Sequence, residues 1–221
     1  MTAKNSDAAR RVNIGCGVTP TRGWVNYDNS LSVHLARCPL VARALDSLGV
    51  LTESNKRLIR ICAKHDVRWA NATRRIPMGD SSVSVVYSSH MIEHLPRAKV
   101  GPFLREVHRI LKPGGMIRIV TPDLRKLAQR YVNGGAADDF MESSLLAEDV
   151  PETALVLIKQ LVVGRRGHHW LYDAPSLCRL LERNGFREAR STEPGSTRIQ
   201  DVGALDLFER ADQSVYVEAF K

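Results

Sequence analysis

The chain has 221 residues, 43% of them hydrophobic and 25% charged, with a formal net charge of +8. That is the balance of a soluble globular protein long enough for one sizeable core, and no apolar run approaches the ~20 residues of a membrane-crossing helix. The basic excess sits in dispersed pairs (Arg10-Arg11, Arg74-Arg75, Arg165-Arg166) and aromatics are only 6%, so no stacking platform for nucleic acid is visible. Cys16, Cys38, Cys62 and Cys178 form no CxxC pair. This argues against a disulfide framework or a cysteine zinc site.

Residues 1–10 are polar and read as a disordered lead-in to a single cytoplasmic domain over 11–221. From there, short β-branched runs alternate with longer helical stretches, the pattern of a mostly parallel sheet covered by helices in an α/β fold. The expected strands are Arg11–Ile14, Trp24–Tyr27, Val67–Ala70, Val83–Ser88, Met116–Thr121, Phe186–Glu193 and Gln213–Phe220. Seven strands in this order suit a doubly wound sheet with an antiparallel closing hairpin. Residues 30–65 read as two helices. Over Ala98–Leu111 the apolar residues Val100, Phe103, Leu104, Val107, Ile110 and Leu111 recur at helical spacing, and Lys112-Pro113-Gly114-Gly115 stops that helix. Residues 124–167 are extra to the minimal pattern and include a helical run, Glu152–Val163. Placed above the carboxyl edge of the sheet, where open α/β sheets bind ligands, they predict a helical substrate cap over 124–172. A last helix, Ser176–Asn184, starts near Asp173 or Ala174 and ends at Gly185.

The chemistry begins at Gly15-Cys16-Gly17. A strand that ends in GxG lets a ligand approach the backbone, because no Cβ stands in the way. Asp28, eleven residues after Gly17 and at the end of the second strand, is placed to accept hydrogen bonds from both ribose hydroxyls of an adenosine ligand. No GKT or GKS follows the glycines, which excludes a P-loop. Pro20 stands where a dinucleotide fingerprint wants its third glycine, which disfavours a dinucleotide.

Val12-Asn13-Ile14-Gly15-Cys16-Gly17 with Gly23-Trp24-Val25-Asn26-Tyr27-Asp28 resembles the opening of class I S-adenosylmethionine (SAM)-dependent methyltransferases, with their seven-stranded Rossmann-like sheet. The resemblance continues through Ile76–Tyr87, then Ser89-His90-Met91-Ile92-Glu93-His94-Leu95, and ends with Leu111–Ile119. Within the family it points to a bacterial subgroup associated with sugar and polysaccharide O-methylation. The resemblance implies that Gly15 and Gly17 lie under the methionine and ribose of SAM, that Asp28 holds the ribose, and that Asn71 and Ala72 flank the adenine. It puts Ser89 and His90 on the sulfonium side. Only six residues separate Gly17 from Trp24, whereas a parallel crossover usually needs a dozen or more. The usual first helix is therefore short or missing.

In a helix, His90, Glu93 and His94 would share one face at the mouth of the site. The spacing is not HExxH, so a zinc-protease reading fails. Thr121-Pro122-Asp123 ends the fifth strand and aims Asp123 into the crevice. Gly167-His168-His169-Trp170-Leu171-Tyr172 offers rings for sugar faces and polar atoms for hydroxyls. A hydroxyl acceptor needs a base: the candidates are His168, His169, His90 and Asp123, with Glu93, His94, Trp170 and Tyr172 as acceptor-binding groups. A divalent cation such as Mg²⁺ could instead lower the hydroxyl pKa, and the sequence leaves that choice open. The expected activity is O-methylation of a sugar or glycoside, methylated mannosides among them, with a homodimer as a possible assembly. The alternatives are a small-molecule (lipid or natural-product) methyltransferase and a non-catalytic SAM-binding protein. The missing Asn-Pro-Pro-Tyr-type tetrapeptide argues against base N-methylation.

Overall fold

The computed structural model describes residues 10–146 and 167–221. The expected helical run Glu152–Val163 lies outside the described residues, as do residues 1–9. Seven strands form one sheet: β1 (Arg10–Ile14), β2 (Val25–Asp28), β3 (Val67–Trp69), β4 (Val83–Ser89), β5 (Leu111–Pro122), β6 (Arg187–Thr192) and β7 (Ser214–Phe220). The spatial order is β3-β2-β1-β4-β5-β7-β6. β7 runs antiparallel to both β5 and β6, and the other pairs are parallel. The strand order reverses beside β1, which creates the crevice where such sheets take their ligands.

Six strands match the sequence expectation to within a residue, and β5 does not. It begins at Leu111, directly after the long helix, and not at Met116. Lys112–Gly115 does not form a separate turn: Val83 pairs with Leu111 and Val85 already pairs with Met116, so the intervening residues bulge out of one continuous strand. Gly115 suits the bulge because a Cβ there would sit 2.9 Å from the Lys112 carbonyl oxygen.

Three helices, and not two, fill residues 30–65: α1 (Leu31–Leu35), α2 (Pro39–Ser47) and α3 (Glu53–Lys64). α3 opens with a capping box between Thr52 and Asn55, whereas α2 buries none of its residues. No helix stands between β1 and β2, as the six-residue link requires. After β4 come α4 (Arg97–Ile110), then α5 (Leu124–Val132) and α6 (Ala137–Ser144) beyond β5, and α7 (Ala174–Arg183) before β6. Asp173 caps α7, accepting from the Ser176 N–H. Among the described residues, no helix is long and apolar enough to cross a membrane.

The two faces of the sheet are covered differently. Alternation sends Val12, Val86, Ile117, Ile119 and Val217 to one face, where Val100, Phe103, Leu104 and Val107 of α4 and Leu177 and Leu181 of α7 meet them. Val85, Tyr87, Met116, Val120 and Tyr216 point to the other face, which is covered by Trp24 and by Ile199 and Leu205 of the segment between β6 and β7. That segment is clamped by a buried ion pair. Arg118 and Glu218 are both fully buried and 2.6 Å apart. The Glu218 carboxylate also accepts from the Thr197 hydroxyl and the Arg198 N–H, and Arg118 donates to the Ser196 carbonyl.

Candidate active site

A cavity of about 690 Å³ opens at the carboxyl ends of β1, β2 and β4, within the size range of small-molecule and cofactor sites. Its near wall is the glycine loop. The Gly15 and Cys16 N–H groups both donate to the Tyr27 carbonyl, which ties the loop to β2. Gly15 has φ +70°, and a Cβ added there would meet Met91 Cγ at 2.5 Å. The position is thus closed to any side chain by conformation and by space.

Asp28 faces the cavity from the end of β2. Its two carboxylate oxygens accept from the Gly17 N–H at 2.9 Å and the Ser30 N–H at 2.8 Å. Two backbone donors thereby fix the carboxylate, and each oxygen keeps a lone pair for a ligand hydroxyl. Asn71 and Ala72 also line the cavity. The Asn71 side-chain oxygen accepts from the Thr73 N–H and hydroxyl, which leaves its amide N–H groups to offer. Ser89 is buried in β4 and is not one of the cavity-lining residues.

The sequence did not single out Trp69 or His34. Both line the cavity, their ring centroids lie 5.4 Å apart, and Trp69 Nε1 is anchored on the Asn29 carbonyl. The only sequence signal was a large aromatic two residues before Asn71. Its partner on α1 could not be paired with it without the fold.

The cluster after β4 forms the opposite wall. His90 takes the left-handed conformation at φ +47°, and Ile92–His94 make a single 3-10 turn. His90, Glu93 and His94 do come together, but through this kinked turn and not along one face of an α-helix. His90 Nδ1 lies 3.3 Å from Glu93 Oε1, and its Nε2 lies 3.0 Å from Ser214 Oγ. Glu93 is completely buried, and its Oε2 accepts from the Thr121 hydroxyl. Burial works against its charge, but the neighbouring His90 outweighs burial and holds the carboxyl below its ordinary value.

The 167–172 segment is stitched to this turn. The His169 and Trp170 N–H groups donate to the Glu93 carbonyl, and His94 Nδ1 lies 3.0 Å from the Gly167 carbonyl. His168 is buried. Its Nδ1 lies 2.6 Å from the Ser144 carbonyl, and its ring centroid is 4.9 Å from that of His94. Burial pushes the His168 imidazole below its ordinary value. His169 and Trp170 are exposed, and the Trp170 ring lies 5.0 Å from the Arg97 guanidinium. Tyr172 is buried and accepts from Arg97 through its hydroxyl. Asp123 is occupied differently from the expectation that it enters the crevice: its carboxylate caps α5 by accepting from the Arg125 N–H. The thiols supply no nucleophile here. Burial, and secondarily the Asp28 charge, raises Cys16 strongly and Cys62 to about 11.

Comparison with known proteins agrees with this geometry. Residues 12–119 match the family model described as a methyltransferase domain. No curated protein matches the chain. Among solved structures, a SAM-dependent methyltransferase from Methanosarcina mazei is similar at 18% identity and a TM-score of 0.50, over 96% of this chain and 92% of that one. The PH0226 protein of Pyrococcus horikoshii OT3 is similar at 14% identity and a TM-score of 0.50, over 96% and 81% of the two chains. A structure described as PigF with SAH matches at 14% identity and a TM-score of 0.50, over 96% of this chain and 50% of that one. The matched domain spans β1 to β5 and so takes in every strand end around the cavity, and residues 12–119 form a SAM-dependent methyltransferase domain.

Proposed function

We propose that the methyl acceptor is a hydroxyl of a sugar or glycoside. The observation that carries this reading is the Glu93–His90 pair in the cavity wall. SAM supplies an electrophilic methyl group whose sulfur keeps the bonding pair as it departs, so no acid has to assist the leaving group. The acceptor oxygen forms the new bond, and its proton has to go to a base. With Nδ1 turned toward the Glu93 carboxylate, His90 presents its Nε2 lone pair, now 3.0 Å from the Ser214 hydroxyl. An imidazole with a carboxylate beside one nitrogen and a hydroxyl beside the other is the arrangement by which enzymes take a hydroxyl proton. His90 is therefore the base, and Asp28, Gly15, Gly17, Asn71 and Ala72 hold the cofactor.

The polyol reading adds Trp170. The residue is 46% exposed, and its backbone is bonded to the turn that carries Glu93. An aromatic face beside a hydroxyl-activating pair suits a sugar, which has both apolar faces and hydroxyl edges. The acceptor-selecting cap is assigned to the 124–172 region, of which 124–146 and 167–172 are described. In the described part, α6 is tied to the 167–172 segment because the Leu145 and Ser144 carbonyls both accept from His168.

The test is transfer from labelled SAM to a panel of monosaccharides, glycosides, lipids and amines. Methylation of sugar hydroxyls, with turnover of His90→Ala reduced roughly 10²–10⁴-fold at little-changed S-adenosylhomocysteine affinity, supports the reading. Transfer to amines or lipids alone, or full turnover by His90→Ala, overturns it.

A further inference from the structure

We infer that Glu93, His94 and His168 form a binding site for one divalent first-row transition metal ion, seated between the cavity wall and the cap. One donor atom from each of the three lies within 4.8 Å of the others. Bonds of ~2.0–2.2 Å require each donor to move inward by about 1 Å or less, a distance that side-chain rotation covers.

Three features prepare the site. His94 Nδ1 faces the Gly167 carbonyl and His168 Nδ1 faces the Ser144 carbonyl. A carbonyl only accepts, so both Nδ1 atoms carry the proton and both Nε2 atoms carry a lone pair. Locking the far nitrogen of an imidazole in this way is how proteins orient metal-ligating histidines. The third donor is Glu93, a fully buried carboxylate whose Oε1 makes no hydrogen bond. A carboxylate oxygen has lone pairs enough to face His90 and an ion together. Two imidazoles with one carboxylate, and further positions left open, suit Mn²⁺, Fe²⁺, Co²⁺ or Zn²⁺ better than Mg²⁺, which prefers an all-oxygen shell. Because His94 also lines the cavity, an ion held there would sit beside the acceptor side. There it would lower the pKa of a bound hydroxyl. That consequence rests on the hydroxyl-acceptor reading, whereas the site itself does not.

The experiment is titration of chelator-treated protein with Co²⁺, followed by visible absorption and calorimetry, without acceptor or SAM. One equivalent of Co²⁺ should bind with ligand-field bands. His168→Gln and Glu93→Gln should each weaken binding tenfold or more, whereas His169→Ala, at the exposed neighbour, should bind as the native chain does. S-adenosylhomocysteine affinity, measured on every variant, reports whether the fold is kept. A native chain that binds no Co²⁺, or an S-adenosylhomocysteine-binding His168→Gln variant with native Co²⁺ affinity, overturns the site. So does loss of binding in His169→Ala alone, which would move the ion to the surface. Because the readout is metal occupancy, the site can fail while sugar methylation stands, and the reverse.

Discussion

Asp28→Ala should weaken S-adenosylhomocysteine binding without unfolding the domain. The carboxylate is set by two backbone donors, Gly17 N–H and Ser30 N–H, and faces the cavity with one lone pair free on each oxygen. Hydrogen bonds to a charged group contribute ~1.5–3 kcal/mol, so Kd should rise roughly 10–150-fold. The same loss appears in melting. At a ligand concentration of 100 times the native Kd, the ligand stabilises the native chain by about 2.7 kcal/mol. For the variant at that concentration the gain falls to between roughly 1.4 and 0.3 kcal/mol. The donors left behind, at Gly17 and Ser30, are only partly buried, so water can take the place of the carboxylate and the ligand-free stability should drop little. Calorimetry and ligand-dependent melting measure the two quantities separately. A ligand-free variant that melts like the native chain and binds with native affinity would refute the assignment of Asp28 to the ribose.

Gly15→Ala should cost ~1–2 kcal/mol for the left-handed backbone alone. Because its Cβ meets Met91 Cγ at 2.5 Å, it should also weaken S-adenosylhomocysteine binding; equal melting and affinity would show that the loop relaxes freely. Glu218→Gln leaves the Arg118 guanidinium buried with no counter-charge and should cost ~3–5 kcal/mol in urea unfolding; a loss under 1 kcal/mol would show that the clamp on the 193–213 segment is not structural. Glu106 is held below its ordinary value by the Arg109 guanidinium and the Ile76 N–H. Its folded pKa is depressed, so its contribution to stability is present above the unfolded value of ~4.3 and is lost as pH falls through the folded one. Glu106→Gln should therefore flatten the decline of stability below about pH 4.5; an unchanged acid limb would place the titration elsewhere.

What could be read from the sequence was what local chemistry decides. The β-branched runs became strands because each alternates onto a buried face, and α4 formed because its apolar residues repeat at helical spacing. Asp28 was legible because a strand end eleven residues after a GxG is a position and not a contact. The β5 bulge was not legible: Lys-Pro-Gly-Gly signals a stop equally well whether the chain turns or only swells out of register. Nor was the cover of the second sheet face, since Ile199 and Leu205 have no period. Asp123 illustrates a different limit. A carboxylate after a strand-ending proline fits a crevice and a helix cap alike, and only the start of α5 at Leu124 decides between them.

The two halves of the site differ in how they are held. The two donors that fix the Asp28 carboxylate lie within 14 residues of chain, Gly17 to Ser30, and are backbone N–H groups that any residue but proline supplies. The Glu93 cluster draws on four separated stretches: the 90–94 turn, Thr121 at the end of β5, the 144–145 end of α6, and Gly167-His168-His169. Its geometry therefore depends on the end of α6 staying against the 167–169 segment, because the Ser144 and Leu145 carbonyls hold His168 beside His94. A residue pattern near the glycine loop thus reports the cofactor, whereas the Glu93 cluster is written in contacts between separated segments, such as His94 with Gly167.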